Sequence, residues 1–302
     1  MEHLFLVNPA AVKEDPTAAV EAAAKCIAGA QNEPYEIRVS RAAGELTELA
    51  RGAGQSGREL RVYACGGDGT LNEVVTGAAD YENLSVTCMP MGSGNDFIKQ
   101  FPNPQAFYQP ENFRTVTEKR LDLMAAAGCV AVNVCSVGFD ARIGTQIDRY
   151  RRLPLLSGPR AYLASVVVNL IRGVVKPCRV EMPGIPPVDE QMTLACVCNG
   201  SWYGGSFHPV PEADSSDGLL DVLLVKKVSR LTVARVISAY QKGRYADYPE
   251  LISHYRVPQV RIITPEPEPV NLDGELIHSE DTTVQVLPQK LRFFGPAAAW
   301  NE

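Results

Sequence analysis

Two glycine turns carry the residues best suited to chemistry. The first is Cys65-Gly66-Gly67-Asp68-Gly69-Thr70-Leu71-Asn72-Glu73, the second Pro90-Met91-Gly92-Ser93-Gly94-Asn95-Asp96-Phe97. Each follows a β-prone run: Leu60, Val62, Tyr63 and Ala64 before the first, and Val86, Thr87, Cys88 and Met89 before the second. A helix-compatible run with Leu71, Val74, Val75 and Ala78 continues the first turn. Glycines let backbone amides approach a ligand without Cβ interference. A helix opening near Thr70 aims its free N–H groups and positive dipole end at the same point. That combination suits an anion, above all phosphate. A tight turn with no ligand is the plain alternative for either stretch alone. Two turns of one design shift the balance toward a site.

Phosphoryl transfer needs phosphate positioning, a divalent cation and an acceptor for the hydroxyl proton. Asp68, Asp96 and Asp122 are candidates for organising Mg²⁺, partly through water, because this ion keeps several of its waters. Other common phosphate signatures are missing: there is no G-x-x-x-x-G-K-[ST] and no G-x-G-x-x-G. The H-R-D and D-F-G pairs of protein kinases are missing too. Two further Asp-Gly pairs, Asp217-Gly218 and Asp273-Gly274, each read by themselves as an ordinary turn before a strand. The histidines His3, His208, His254 and His278 have no H-x-x-x-H or triad context, which points to surface or core roles. Ser201 is not in a G-x-S-x-G elbow, and the glycines after it shape a loop near a domain junction.

The elements that must position these residues alternate. Leu4 to Val7 reads as a strand ending at Asn8-Pro9. Asp15-Pro16 starts an alanine-rich helix to about Ala30, with Asp15 as N-cap and Pro16 in the first turn. Tyr35 to Val39 alternates as a strand, Glu45 to Arg51 as a helix, and Leu60 to Cys65 as a strand. The helix after the first turn runs to Ala79. Val86 to Met89 is a further strand, and another helix is expected from about Asn95. Short connections between alternating strands and helices imply a parallel, doubly wound α/β sheet. Ligands bind such sheets at the carboxyl ends of strands, where Asn8, Gly66 to Thr70 and Gly92 to Asp96 all lie.

From about Cys129 the pattern becomes strand-rich. Val130 to Val137, Gln191 to Asn199, Leu219 to Lys226, Pro258 to Thr264, Thr282 to Leu287 and Leu291 to Phe294 read as strands. Helical stretches interrupt them near 140–175 and 229–243, and Pro265 to Pro269 reads as a stiff loop. The expected plan is therefore an α/β nucleotide domain over 1–125 and a mainly antiparallel β-sandwich over 126–302. Whether the last strand returns to the first domain is left open. Residues 149–180 hold Arg149, Arg151, Arg152, Arg160, Arg172, Lys176 and Arg179 with no acid, interleaved with apolar residues. Such a stretch fits peripheral contact with an anionic membrane. A core helix with a solvated basic edge fits equally.

The 302 residues, 45% apolar and 21% charged, suit a soluble globular protein of about two domains. A net charge of −6 argues against general nucleic-acid binding. The eight cysteines form no C-x-x-C pair, and most sit in apolar runs, as reduced thiols of a cytoplasmic protein would. No leader-like run opens the chain, and none approaches the roughly 18 apolar residues of a membrane span.

The two turns, together with Pro211 to Asp221 (a P-x-A-x-x-x-D-G-x-L-D segment) and Leu272 to Glu275 (L-D-G-E), resemble the diacylglycerol kinase catalytic family of lipid kinases, its bacterial members in particular. That family is related to sphingosine kinases and shares the G-G-D-G-T loop with NAD kinases and phosphofructokinases. The resemblance runs from Asn8 to Glu275. It implies ATP as co-substrate, with Asn8, Pro9 and Gly67 to Glu73 on the nucleotide. Ser93 then lies near the phosphates, among Gly66, Gly92, Asn95 and Asp96, and Ser40 is a weaker nucleotide-side candidate. It implies a structural Mg²⁺ on the Asp217 carboxylate and the carbonyls of Asp214 and Leu219, hard oxygen ligands that suit this ion. It also implies Glu275 as general base beside Asp273, with Asp68 and Asp122 as further catalytic acids. A carboxylate among acids and phosphates has a raised pKa, which favours base catalysis. The expected function is an ATP-dependent lipid kinase acting on a lipid hydroxyl, of diacylglycerol or a related lipid, at a membrane surface. An NAD kinase-like enzyme and a catalytically silent nucleotide- or lipid-binding regulator are the alternatives. The retained Asp68, Asp122, Asp217 and Glu275 speak against the silent one. Oligomeric state is left open, a homodimer included.

Overall fold

A computed structural model describes residues 1–11, 15–29, 32–138 and 175–301. The first half alternates as expected: β1 (Glu2–Val7), α1 (Thr17–Ile27), β2 (Tyr35–Val39), α2 (Glu45–Gln55), β3 (Leu60–Gly66), α3 (Asp68–Ala78) and β4 (Leu84–Pro90). The four strands pair in parallel in the order β2-β1-β3-β4. β1, β3 and β4 are buried along nearly their whole length, as strands covered on both faces must be. α1 buries Val20, Ala23, Ala24 and Ile27, one face at helical spacing. α1 starts one residue later than expected, with Pro16 instead of Asp15 at the cap position, and Asp15 Oδ1 accepts the Thr17 N–H at 2.9 Å from just outside the helix.

The second half adds β5 (Val116–Ala126), β6 (Cys129–Ala131), β7 (Val134–Gly138), β8 (Lys176–Met182), β9 (Ile185–Cys198), β10 (Leu220–Lys226), α4 (Arg230–Gln241), β11 (Ile252–Val257), β12 (Gln259–Leu272) and β13 (Glu275–Pro296). Its pairings β7-β9, β8-β9, β9-β10, β10-β11, β7-β12, β8-β12 and β12-β13 are all antiparallel. The inner faces bury Val180, Val197, Val222, Ile262, Val270 and Val284 as one apolar core. Val236 and Tyr240 of α4 pack with Leu223 and Val225 of β10 in another.

Four further expectations meet a different outcome or none. The helix expected from Asn95 is a single 3-10 turn over Phe97–Gln100, followed by 3-10 turns over Pro104–Tyr108 and Pro110–Arg114. Asn95 has φ of +48° and prolines recur at 102, 104 and 110, so an α-helical ladder cannot propagate. Pro265 to Pro269 lies within β12, where the β12–β13 register shifts between Ile263 and Glu268. Prolines are tolerated there because a bulge does not need every ladder N–H. The two short strands near the C-terminus are one strand of 22 residues, β13. The helix expected over 140–175 falls, but for residue 175, on residues 139–174, outside those described.

β13 ties the halves together. Its first half pairs with β12, and its second half pairs with β5 and reaches β4 through Phe293 and Val86. Leu291, Phe293 and Phe294 thereby join the core of the first half. Phe293 packs 5.1 Å from Phe97 and stacks 5.6 Å from Phe101, ring centroid to centroid. Each such ring contributes about 1.5–3 kcal/mol by burial. The chain that begins at Glu275 is thus anchored directly beneath the second glycine turn.

Candidate active site

The two glycine turns touch. Met91 N–H donates to the Gly66 carbonyl at 2.8 Å. A Cβ on Gly92 would fall 2.5 Å from the Gly67 Cα, so the approach depends on both lacking side chains. Gly67 caps α3, whose first amides belong to Asp68, Gly69 and Thr70. Gly69 is exposed, and a Cβ built there meets nothing within 4 Å: the space in front of the helix end is open. Asn8 Nδ2 donates to Thr70 Oγ1 at 3.1 Å and fixes β1 to the first turn. Pro9 starts a 3-10 turn next to it. Ser40 is buried at the end of β2, its N–H bonded to the Val7 carbonyl at 2.9 Å. Asn95 closes the second turn on itself through Gly92, leaving Ser93 exposed at the tip. Asn72 is buried on α3.

Acids from both halves meet here. Asp68 accepts the Phe97 N–H at 3.1 Å, and burial, then the neighbouring Asp96 carboxylate, push its pKa up. Asp96 is held by Lys99 Nζ at 2.6 Å and by the Gly205 N–H at 2.7 Å. Lys99 Nζ also donates to the Gly205 carbonyl at 2.9 Å and lies 5.5 Å from the Trp202 ring, which stacks at 4.1 Å on His208. The loop from Trp202 to His208 in the second half is therefore docked on the second turn. Glu73 Oε2 accepts the Gly44 N–H at 3.1 Å. Its pKa is raised by burial and, to a lesser degree, by the charge of Glu275. α3 packs against β6, and Asp273 ties the β6–β7 junction to the turn before β13, which brings Glu275, the first residue of β13, toward that helix. Glu275 is exposed and its carboxylate makes no hydrogen bond or ion pair with any described residue.

Residues 2–127 match the family described as "Diacylglycerol kinase catalytic domain", and residues 133–295 match "YegS C-terminal NAD kinase beta sandwich-like domain". A protein of Xanthomonas axonopodis pv. citri named "Probable lipid kinase YegS-like" is 30% identical over 78% of this chain and 78% of its own length. One of the same name from Stenotrophomonas maltophilia is 28% identical over 88% of each. The chain belongs to the YegS-like lipid kinase family. A crystal structure titled as a diacylglycerol kinase from Bacillus anthracis covers 99% of this chain and 98% of its own, with a TM-score of 0.70 at 21% identity, and the two share a fold. At the open end of α3 in this YegS-like chain stands Asp68, whose charged form is disfavoured by burial and by Asp96, and a cation bound there with a nucleotide would answer that charge. Among the described residues no group of three or more His, Cys, Asp or Glu is placed to hold a metal. Phosphate oxygens would complete the shell of a Mg²⁺ at Asp68, as is usual for this ion.

Of the remaining candidates, Asp273 lies near enough to Asp68 for that charge to help raise its pKa. Asp122 is buried, and its two carboxylate oxygens accept the Gly218 and Gln289 N–H groups at 2.6 and 2.7 Å. It fastens the 214–219 loop to β13 instead of facing the open space at Gly69. Asp273 has φ of +48° and accepts N–H bonds from Val132, Asn133 and Val134 at 2.6 to 3.2 Å. Burial pushes it up to about 6. It is a clamp on the β6–β7 junction that orients Glu275 two residues on. Asp217 and Asp214 are engaged within their own loop, and the Leu219 N–H goes to Asp217 at 2.9 Å. The loop glycines after Ser201 lie at the junction of the two halves as expected, whereas Lys99, Trp202 and His208 were not foreseen as neighbours of the second turn. The spacing of Lys99 three residues after Asp96 was the available signal.

Proposed function

We propose that this protein is an ATP-dependent lipid kinase that transfers the γ-phosphoryl group to a hydroxyl of diacylglycerol or a related lipid. The observation that carries the reading is Glu275: an exposed carboxylate with no hydrogen bond or ion pair to any described residue, on the hairpin that Asp273 ties to the β6–β7 junction, which packs on α3. In the proposed step the lipid oxygen bonds to the γ-phosphorus, the bond from that phosphorus to the β-bridging oxygen breaks, and Glu275 takes the hydroxyl proton. The amides of Asp68, Gly69 and Thr70 donate to the phosphates, and the dipole of α3 favours their charge. Asp68 would hold Mg²⁺, which when bound neutralises charge on the transferring group. Asp273 fixes the hairpin that carries the base. No helix among the described residues is long and apolar enough to cross a membrane. The lipid would reach the cleft from a membrane surface. Of the basic residues expected to touch that surface, Lys176 and Arg179 are ion-paired with Glu268 and with Glu181 and Asp189; the others lie outside the described residues.

The test is incubation of the protein and Mg²⁺ with γ-labelled ATP and a total lipid extract, followed by chromatography. Label in a lipid product is expected. Label in NADP when NAD is supplied, with none in lipid, would replace the reading by an NAD kinase. No transfer to either would leave a nucleotide- or lipid-binding regulator.

A further inference from the structure

We infer that Lys99 is a positioning residue: with Asp96 it forms the joint that sets the second half, and the base carried there, against the phosphate turns. What the joint serves rests on the proposed kinase activity. On the second-half side stands a small hairpin. Tyr203 and Phe207 exchange both backbone hydrogen bonds at 2.9 Å, and both side chains are buried in the core that holds α4 and β10. The Tyr203 and Tyr240 hydroxyls are 3.0 Å apart, and Trp202 stacks on His208, the two residues that flank the pair. The tip, Gly204-Gly205-Ser206, is exposed, and its glycines have φ of +62° and +84°, a conformation that glycine adopts without strain. A hairpin rooted in the core at its base holds its tip in a fixed place.

The first-half side is the 3-10 turn Phe97–Gln100. Phe97 is buried against Phe293, and its N–H is held by Asp68 at 3.1 Å, so this turn is fixed to the first glycine turn. Gly205 is grasped at both of its backbone groups. Its N–H goes to Asp96 Oδ2 at 2.7 Å, and its carbonyl accepts from Lys99 Nζ at 2.9 Å. Lys99 Nζ closes the ring on Asp96 Oδ1 at 2.6 Å. The Asp96 side chain is only 7% exposed, and a buried carboxylate without a cation is strongly unfavourable. Lys99 therefore answers the charge with which Asp96 holds the Gly205 amide. The next residue adds a second tie: Gln100 Oε1 accepts the Ser215 hydroxyl at 3.0 Å. One short turn thus joins the phosphate turns to two loops of the second half. In-line transfer needs donor and acceptor held in place, and a misplacement of about 1 Å can cost on the order of 10²-fold. The phosphates would sit on the first half and Glu275 lies on the second, so this joint acts on their separation.

Wild type, Lys99→Met and Lys99→Arg are compared by three readouts, two of which need no lipid. In Lys99→Met, amide hydrogen exchange over 203–206 should be faster than in wild type, because the tip loses its hold. Affinity for ATP with Mg²⁺, by calorimetry, should stay close to wild type. With γ-labelled ATP and the lipid extract, turnover should fall roughly 10- to 100-fold at unchanged KM for ATP. Lys99→Arg keeps the cation and should recover most of the exchange protection and the turnover. Wild-type exchange and turnover in Lys99→Met would overturn the inference. So would a loss of ATP affinity with exchange unchanged, since Lys99 would then be a nucleotide ligand. Absence of lipid label with wild type would sink the kinase reading by itself. Faster exchange in Lys99→Met with ATP affinity kept would still uphold the joint. Should Lys99→Met fail to fold, Lys99→Gln, which keeps a donor but not the charge, is read in its place.

Discussion

Asp68-Gly69 and Asp217-Gly218 are the same dipeptide put to opposite uses. At Asp68 the glycine faces open space, the carboxyl is pushed up by burial and by Asp96, and its partners in the chain are backbone amides. At Asp217 the glycine has φ of +77° and forms a turn, and a guanidinium answers the carboxylate. Among the described residues no cation pairs with the first carboxylate, whereas Arg256 pairs with the second. What separates them is the element that follows. α3 opens directly after Asp68 and leaves amides free, whereas β10 brings a partner strand with its own arginine. The two pairs thus differ in what the fold sets beside the acid: open amides at Asp68, an arginine at Asp217.

Glu275 gives the sharpest way to break this contrast, because its carboxylate makes no hydrogen bond or ion pair with any described residue. Glu275→Gln keeps size and most hydrogen bonding but cannot take a proton. Turnover in the labelled-ATP assay should fall roughly 10²–10⁴-fold with ATP affinity and folding unchanged. Retention of more than about a tenth of wild-type turnover would remove Glu275 as the base. The next largest effect is expected at the open glycine. Gly69→Val places a side chain in space that nothing else occupies, so the fold should survive while ATP binding weakens about a hundredfold, on the order of one or two charge-assisted hydrogen bonds. Unaltered ATP affinity by calorimetry in a folded variant would detach the first turn from the site.

The first half was legible in the sequence because its strands and helices are local and periodic, and the turns fall where strand ends must bring them. Asn8, Gly66 to Thr70 and Gly92 to Asp96 were placed together by that logic, and Ser40, Asn72 and Glu73 by the family resemblance. Long-range pairing was not legible. β5, β8 and β11 were missed, and β12 and β13 were cut short, because bulges at Ile263/Glu268 and Leu287/Leu291 interrupt alternation. The role of Asp122 follows from amides 96 and 167 residues away, which no local pattern encodes. Lys99 was passed over because its partner Gly205 lies on the other half of the chain.

The third Asp-Gly pair, Asp273-Gly274, stands between the other two and yields the smallest effect. Its carboxyl is enclosed by three backbone amides with no cation, and burial raises it to about 6. An unfolded aspartate titrates near 3.9. Between those values the native state keeps a proton that the unfolded chain has released. Stability from this group is therefore full below about pH 4 and is lost as pH rises through about 6. Asp273 is partly exposed, so the loss is on the order of 1 kcal/mol after solvent screening. Asp273→Asn cannot titrate. It should lower stability at every pH by weakening the clamp, yet lack that part of the decline. The measurement is denaturant unfolding of both proteins from about pH 4 to about pH 7, where their difference should shrink as pH rises. Curves that stay parallel would mean that Asp273 stays charged in the native state, and that the amides alone complete the arrangement.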